Sequence, residues 1–199
     1  MRILIVFGTT EGHTREICQF AARALREAGH TATVEEVSTD GSDMRLSAYD
    51  GLVLAGSLHV ARYQPTLTRF AQAHAAELDD KPNAFISVSL SAAGENPDDW
   101  EGLEQSLARF EHETGWTPRR VLQAAGAIRY SQYDFFKRLA IKHIAARRGR
   151  ETETSRDYDL TDYDAVRAFV LDFAAMAAPG GGERPQRSAT LTRKESDGR

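Results

Sequence analysis

Short apolar runs alternate along this chain with stretches of helical periodicity. Ile3-Leu4-Ile5-Val6-Phe7 predicts a strand over residues 2–7. From about Thr14 to Ala28 the apolar positions Ile17, Phe20, Ala21, Ala24 and Leu25 recur at helical spacing, and Gly29 ends the helix. Thr31 to Val37 alternates as a second strand, and Gly51 to Ala55 reads as a buried third. Pro65 starts a helix to about Glu77 with Leu67, Phe70, Ala71 and His74 on one face. Ala84 to Leu90 is a fourth strand. About 98–114 is a helix carrying Trp100, Leu103, Leu107 and Phe110, and Val121 to Ile128 is a fifth strand. A last helix covers 162–178, with Val166, Phe169, Val170 and Phe173 inward. Five nearly continuous apolar strands separated by helices predict a parallel sheet covered on both faces, an α/β three-layer sandwich.

The junction between the first strand and first helix carries the clearest chemistry: Gly8-Thr9-Thr10-Glu11-Gly12-His13-Thr14. Glycines let the backbone turn tightly, while threonine hydroxyls and the amides of a helix N-terminus supply donors to an anion. Three residues separate Gly8 from Gly12 and no Lys follows, so this is not a nucleotide-triphosphate loop of the Gly-x-x-x-x-Gly-Lys type. The Gly-x-Gly-x-x-Gly dinucleotide fingerprint is absent as well. What remains is an uncharged, hydroxyl-rich cradle suited to one terminal phosphate monoester, or else an ordinary βα turn.

Composition narrows the alternatives. The 199 residues carry a net charge of −4, with 27% charged and 41% hydrophobic residues, which fits one globular domain and excludes a nucleic-acid binder. The single cysteine, Cys18, lies in the first helix and reads as a buried thiol. No apolar run approaches the roughly 20 residues of a membrane span, and no secretory signal precedes the first strand, so a cytoplasmic location is expected. No Cys/His cluster suggests a metal, and no Gly-x-Ser-x-Gly elbow suggests a hydrolase. The segment after residue 178 is polar and is expected to be disordered unless it finds a partner, leaving residues 1–178 as the folded domain.

One stretch breaks the acidic balance. Residues 129–150 hold seven Arg or Lys and one acid, Asp134, interleaved with Tyr130, Tyr133, Phe135, Phe136, Leu139, Ile141 and Ile144. This predicts a basic amphipathic helix inserted before the last helix, over about 129–155. It reads either as a solvated helix on the sheet edge or as a contact with anionic lipid.

The phosphate loop resembles that of flavodoxins, and the resemblance implies the flavodoxin-like strand order 2-1-3-4-5. Further stretches sharpen it: Thr14-Arg15-Glu16-Ile17, Ala55-Gly56-Ser57-Leu58-His59 with Tyr63, and Ala84 to Leu90. To these add Gly115-Trp116-Thr117-Pro118, Ala125 to Tyr130 with Tyr133, Lys142, Gly149 to Thr154, and Thr161-Asp162. Over residues 1 to 177 the chain resembles the menaquinone-dependent protoporphyrinogen IX dehydrogenases. The resemblance implies bound FMN, a porphyrinogen or other small-molecule electron donor, a quinone acceptor, and peripheral contact with an anionic membrane surface through 129–150. It places Thr9, Thr10, Glu11, Gly12, His13 and Thr14 around the phosphate. Ser57 to Tyr63, including Leu58 and His59, would lie along one side of the isoalloxazine ring. Ser87 to Gly94, including Ser89, Leu90 and Ser91, would lie along the other.

No side chain is assigned a catalytic role, because the flavin itself accepts electrons. Two further readings stay open: a flavodoxin-like electron carrier or quinone reductase with another partner, and a binding module without redox activity. The loop after the fourth strand is acidic (Glu95, Asp98, Asp99), where the family carries basic residues. Those acids either repel a dicarboxylate substrate or begin the next helix, whose N-terminus favours negative charge.

Overall fold

The computed structural model describes residues 1–37, 44–94, 96–128, 158–177 and 188–190. The inserted basic segment, Glu95 and most of the C-terminal stretch lie outside the described residues. The elements are β1 (Arg2–Gly8), α1 (His13–Glu27), β2 (Thr31–Glu36), β3 (Gly51–Ser57), α2 (Pro65–Ala73), α3 (Ala75–Asp80), β4 (Asn83–Ser89), α4 (Pro97–Thr114), β5 (Arg120–Ala125), β6 (Ala127–Ile128), β7 (Tyr158–Asp159), α5 (Tyr163–Ala177) and β8 (Ser188–Thr190). Short 3₁₀ turns occupy Leu46–Ala48 and Ser91–Ala93.

The first five strands are parallel and stand in the order 2-1-3-4-5, as expected. Successive side chains on a strand point to opposite faces, so continuous apolar runs serve two cores. Ile3, Ile5 and Phe7 join Val53, Ala55, Ala84, Ile86, α1 and α5 on one face. Leu4 and Val6 join Leu52, Leu54, Phe85, α2, α3 and α4 on the other. On that second face Tyr63, Phe85, Phe110 and Trp116 form an aromatic cluster with ring centroids 4.9 to 6.3 Å apart. Cys18 is buried in the first core, and burial pushes its thiol far above its usual range.

Three local features depart from the expected elements. The helix after Pro65 breaks at His74, whose ring packs tilted against Phe70 and bonds Glu77, giving α2 and α3. The fifth strand stops at Ala125: Gly126 leaves the ladder, and Ala127–Ile128 pairs antiparallel with Tyr158–Asp159. The chain thus leaves for the insert along β6 and returns along β7. Finally, Ser188–Thr190 pairs parallel with Arg120–Leu122, so part of the stretch expected to be disordered adds a sixth strand at the β5 edge.

The chain passes from β1 outward to β2 and then back across β1 to β3. The order therefore reverses between β1 and β3, and open α/β sheets hold ligands beyond the carboxyl ends of the strands at such a reversal. Gly8 and Gly56, near the ends of those two strands, are register partners. Gly56 is required by close approach. A Cβ there would sit 2.6 Å from Leu67 Cδ2 and 3.1 Å from Tyr63 Cδ1, so α2 packs directly on the strand.

Candidate functional site

A cleft of about 280 Å³ opens at that reversal. Three loops build it: 9–14 after β1, 57–61 after β3, and 88–91 at the end of β4, with Gly126 and Ala127 closing the side next to β5.

The first loop is shaped by Gly12, whose φ of 88° is the left-handed conformation that glycine adopts without steric cost. Its amide donates to the Thr9 hydroxyl at 2.9 Å, which folds the loop over the start of α1. Residues in the first turn of a helix have no intrahelical acceptor for their amides. Those of α1 begin at His13 and Thr14, both buried and both lining the cleft. The Thr14 hydroxyl is the telling atom. Thr14 is 1% exposed, and its Oγ1 has no hydrogen-bond partner among the described residues. A buried hydroxyl without a partner costs free energy of about 1–3 kcal/mol, and a ligand oxygen at the cleft would relieve it. Among the described lining residues there is no Lys or Arg, so the donors on offer are hydroxyls, ring nitrogens and amides.

His13 sits between several oxygens. Its Nδ1 lies 3.3 Å from Glu16 Oε2, and its Nε2 lies 2.8 Å from Thr161 Oγ1 and 3.4 Å from Asp159 Oδ1. Partial burial pushes the Asp159 carboxyl up. The Thr161 amide, the Tyr163 hydroxyl and the His13 ring outweigh it, and the carboxyl ends below its ordinary value. Tyr163 is pushed up to about 12 by burial and by the neighbouring Asp159 carboxylate. It therefore stays a phenol donor at 2.8 Å from Asp159 Oδ2.

The loop after β3 is a tight hairpin. His59 N–H donates to the Arg62 carbonyl at 2.8 Å, and Arg62 N–H donates to the His59 carbonyl at 3.0 Å. The two residues between them, Val60 and Ala61, have φ of 48° and 57°. A two-residue hairpin loop of this hand requires positive φ at both positions, and a β-branched residue there is strained. Val60 is nonetheless 72% exposed at the cleft. With Leu58, Val88, Leu90 and Ala127 it gives the cleft apolar walls. The β4 loop is pinned by the Ala92 amide on Ser89 Oγ at 3.1 Å and by the Trp100 indole on the Gly94 carbonyl at 2.9 Å.

Of the residues expected from sequence, the cleft brings together Thr9, Thr10, Glu11, His13, Thr14, Ser57, Leu58, His59, Ser89, Leu90 and Ser91. Gly12 shapes the loop without lining it, and Gly94 lies beyond the wall with its carbonyl held by Trp100. Tyr63 departs from expectation. It is buried in the aromatic cluster beneath the site, its hydroxyl donates to Ser87 Oγ at 2.8 Å, and burial pushes its phenol upward. The glycine at 56 makes that burial possible by leaving room for the ring. Gly126, Ala127 and the bridging Gln64 were not singled out by the pattern. A glycine inside an apparent strand was the available signal for the first two.

The acids after β4 also find their place. Asn96 caps α4, its side chain accepting from the Asp98 amide at 3.2 Å, with Pro97 at the first helical position. Asp98 and Asp99 stand in the first turn and do not line the cleft.

Comparison with known proteins agrees with this architecture. Residues 4–155 match the flavodoxin domain family. Protoporphyrinogen IX dehydrogenase (quinone) of Escherichia coli K12 is 34% identical over 175 residues, covering 87% of this chain and 95% of that one. The protein of the same name from Leishmania major is 30% identical over 182 residues, covering 88% and 75%. Among solved structures, oxidised flavodoxin 1 from Bacillus cereus superposes with a TM-score of 0.52 at 16% identity, covering 87% of this chain and 97% of that one. A short-chain flavodoxin associated with a bacterial microcompartment gives 0.51 at 14% identity, covering 89% and 99%. A strand order of 2-1-3-4-5, a hydroxyl-lined loop at its reversal and these relatives agree: the chain belongs to the flavodoxin domain family, in the group of the protoporphyrinogen IX dehydrogenases.

Proposed function

We propose that this chain is an FMN-dependent oxidoreductase that oxidises protoporphyrinogen IX and passes the electrons to a quinone. The observation that carries the cofactor is the buried, unpartnered Thr14 hydroxyl at the head of α1, within a loop of neutral donors. Substrate and acceptor follow from the names of relatives that this chain matches over most of their length.

Thr9, Thr10 and Thr14, with the first amides of α1, that of His13 among them, would hold the phosphate. Glu11 and Gly12 complete the turn. Leu58, His59, Val60 and Ala61 would flank the ring on the β3 side, and Val88, Ser89, Leu90 and Ser91 would flank it on the β4 side. FMN supplies the two-electron acceptor chemistry, which no protein side chain can replace. The chain's own part is to bind, to orient, and to keep water from the apolar walls at Leu58, Val88, Leu90 and Ala127. A proton leaves the substrate with each pair of electrons, and no side chain is assigned to take it. The basic, aromatic stretch 129–150 brings the protein to an anionic membrane surface where a quinone is dissolved; its sequence is the support for this.

A carrier of electrons with another partner is the second reading, favoured by the likeness to small flavodoxins across the whole fold. The visible spectrum and flavin content of the purified protein test the common element. One FMN per chain supports both redox readings. A protein that stays colourless after refolding with FMN overturns both in favour of a non-redox binding module.

A further inference from the structure

Gln64, the residue just before α2, ties together two of the three loops that make the cleft. Its Nε2 lies 3.1 Å from Thr10 Oγ1 and 3.0 Å from the Ser57 carbonyl oxygen, and it also bonds Ser57 Oγ. The orientation of the amide is set by chemistry. A backbone carbonyl only accepts, so the nitrogen of Gln64 must face Ser57. Its Oε1 is then turned inward toward Gly8, where it is buried and has no partner among the described residues. The amide forgoes a bond at its oxygen, and its two N–H groups serve three acceptors, so the carbonyl and hydroxyl of Ser57 share one and Thr10 takes the other.

This arrangement fixes the polarity of two hydroxyls. A threonine or serine hydroxyl has one proton to give and lone pairs to receive. Where the oxygens of Thr10 and Ser57 accept from Gln64, their protons are left to donate elsewhere. Both residues line the cleft. We propose that Gln64 is a positioning residue that turns the Thr10 and Ser57 hydroxyls into donors toward a phosphate-bearing ligand in the cleft. The inference rests on the FMN reading above and goes beyond it in naming the side chain that orients the donors. Gln64 acts through other residues: one amide sets the hydroxyl on the phosphate loop and the hydroxyl at the end of β3, and holds the two loops at a fixed separation.

The test is a double-mutant cycle read by FMN affinity. The full chain, stripped of flavin, is titrated with FMN and separately with riboflavin, following flavin fluorescence. Gln64→Met keeps the length and removes the donor without adding charge. It is made in the wild type and in a Thr10→Val/Ser57→Ala background. Orientation of the hydroxyls predicts a loss of about tenfold in FMN affinity in the wild type. It predicts less than about twofold in the double background, because the groups that Gln64 positions are gone. Riboflavin, which lacks the phosphate, should lose less than FMN. Equal losses in both backgrounds would mean that Gln64 serves only to pack the loops, and no loss in the wild type would mean that it orients nothing; either overturns the proposal. A wild-type chain without FMN affinity overturns the cofactor reading, and this inference with it. Melting of the flavin-free variants checks each fold, and Gln64→Ala replaces Gln64→Met if the latter fails to fold.

Discussion

His13 Nε2 lies 2.8 Å from the hydroxyl oxygen of Thr161, 148 residues further along the chain. The Thr161 hydroxyl gives its own proton to the Ala125 carbonyl at 2.9 Å, so its oxygen accepts the ring N–H of His13. One short relay therefore joins the start of α1, the end of β5, and the chain just after β7. The Leu160 amide adds a bond to the Gly126 carbonyl at 3.2 Å, and the Tyr163 ring rests on Phe20 of α1 at 4.8 Å between centroids. The start of α1 and the chain just after β7 are thus built against each other.

The same relay makes stability depend on pH through Asp159. Its carboxyl is held below the ordinary value, so the folded state binds that proton less readily than the unfolded chain. The stabilisation is complete above the unfolded value of about 3.9 and is lost as pH falls through the depressed folded value. The difference in melting temperature between wild type and Asp159→Asn should be largest near neutral pH and should close below about pH 4. A difference that does not change with pH contradicts this account of Asp159.

Thr14→Val should act with opposite signs on the empty and the loaded protein. Without ligand it removes a buried hydroxyl that has no partner, so the flavin-free protein should melt at the same temperature or higher. With ligand it removes a donor to a charged group, a loss of roughly 1.5–3 kcal/mol, so FMN affinity should fall at least about tenfold. Calorimetry of the flavin-free protein and FMN titration decide it together. An FMN affinity that does not change removes Thr14 from the phosphate site.

Asp98 and Asp99 begin a helix and do not face the cleft. Replacing both with Lys should lower stability by a few tenths to about 1 kcal/mol apiece through the helix dipole. KM for the porphyrinogen should stay within about twofold, since long-range effects of exposed charges are screened. A large fall in KM would show that these acids repel the substrate after all.

For the basic stretch, converting Lys137, Arg138, Lys142, Arg147 and Arg148 to Gln should abolish binding to anionic vesicles. Each basic residue near such a surface contributes about 1 kcal/mol. Bound flavin and melting temperature should change little. Co-sedimentation with vesicles at low salt reads the effect, and a wild-type chain that ignores anionic vesicles removes the membrane from the account.

The sheet was legible because β1 and β3 are apolar runs, β4 and β5 are nearly so, and β2 alternates, while β1 ends in a Gly/Thr loop whose chemistry is local. Residues Thr9 to Thr14 could be placed for that reason. Tyr63 could not, since its burial depends on Gly56 opposite it and on Phe85 and Phe110 from other elements. Gln64 and the His13 to Thr161 contact are tertiary pairings over 54 and 148 residues, which no periodicity announces. The break at Gly126 was masked by apolar residues on both sides, which prolong the appearance of one strand. The short β8 carries no apolar run to mark it.

The reaction proposed for this chain moves electrons from protoporphyrinogen IX through the flavin to a quinone. Anaerobic titration of the purified, flavin-loaded protein with protoporphyrinogen IX tests it most directly, with menaquinone added at the end point. The visible flavin absorbance should bleach as the porphyrinogen is oxidised and return when the quinone is added. A flavin that stays oxidised in excess porphyrinogen, yet is reduced by a reductase protein, would contradict the claim and make this chain an electron carrier.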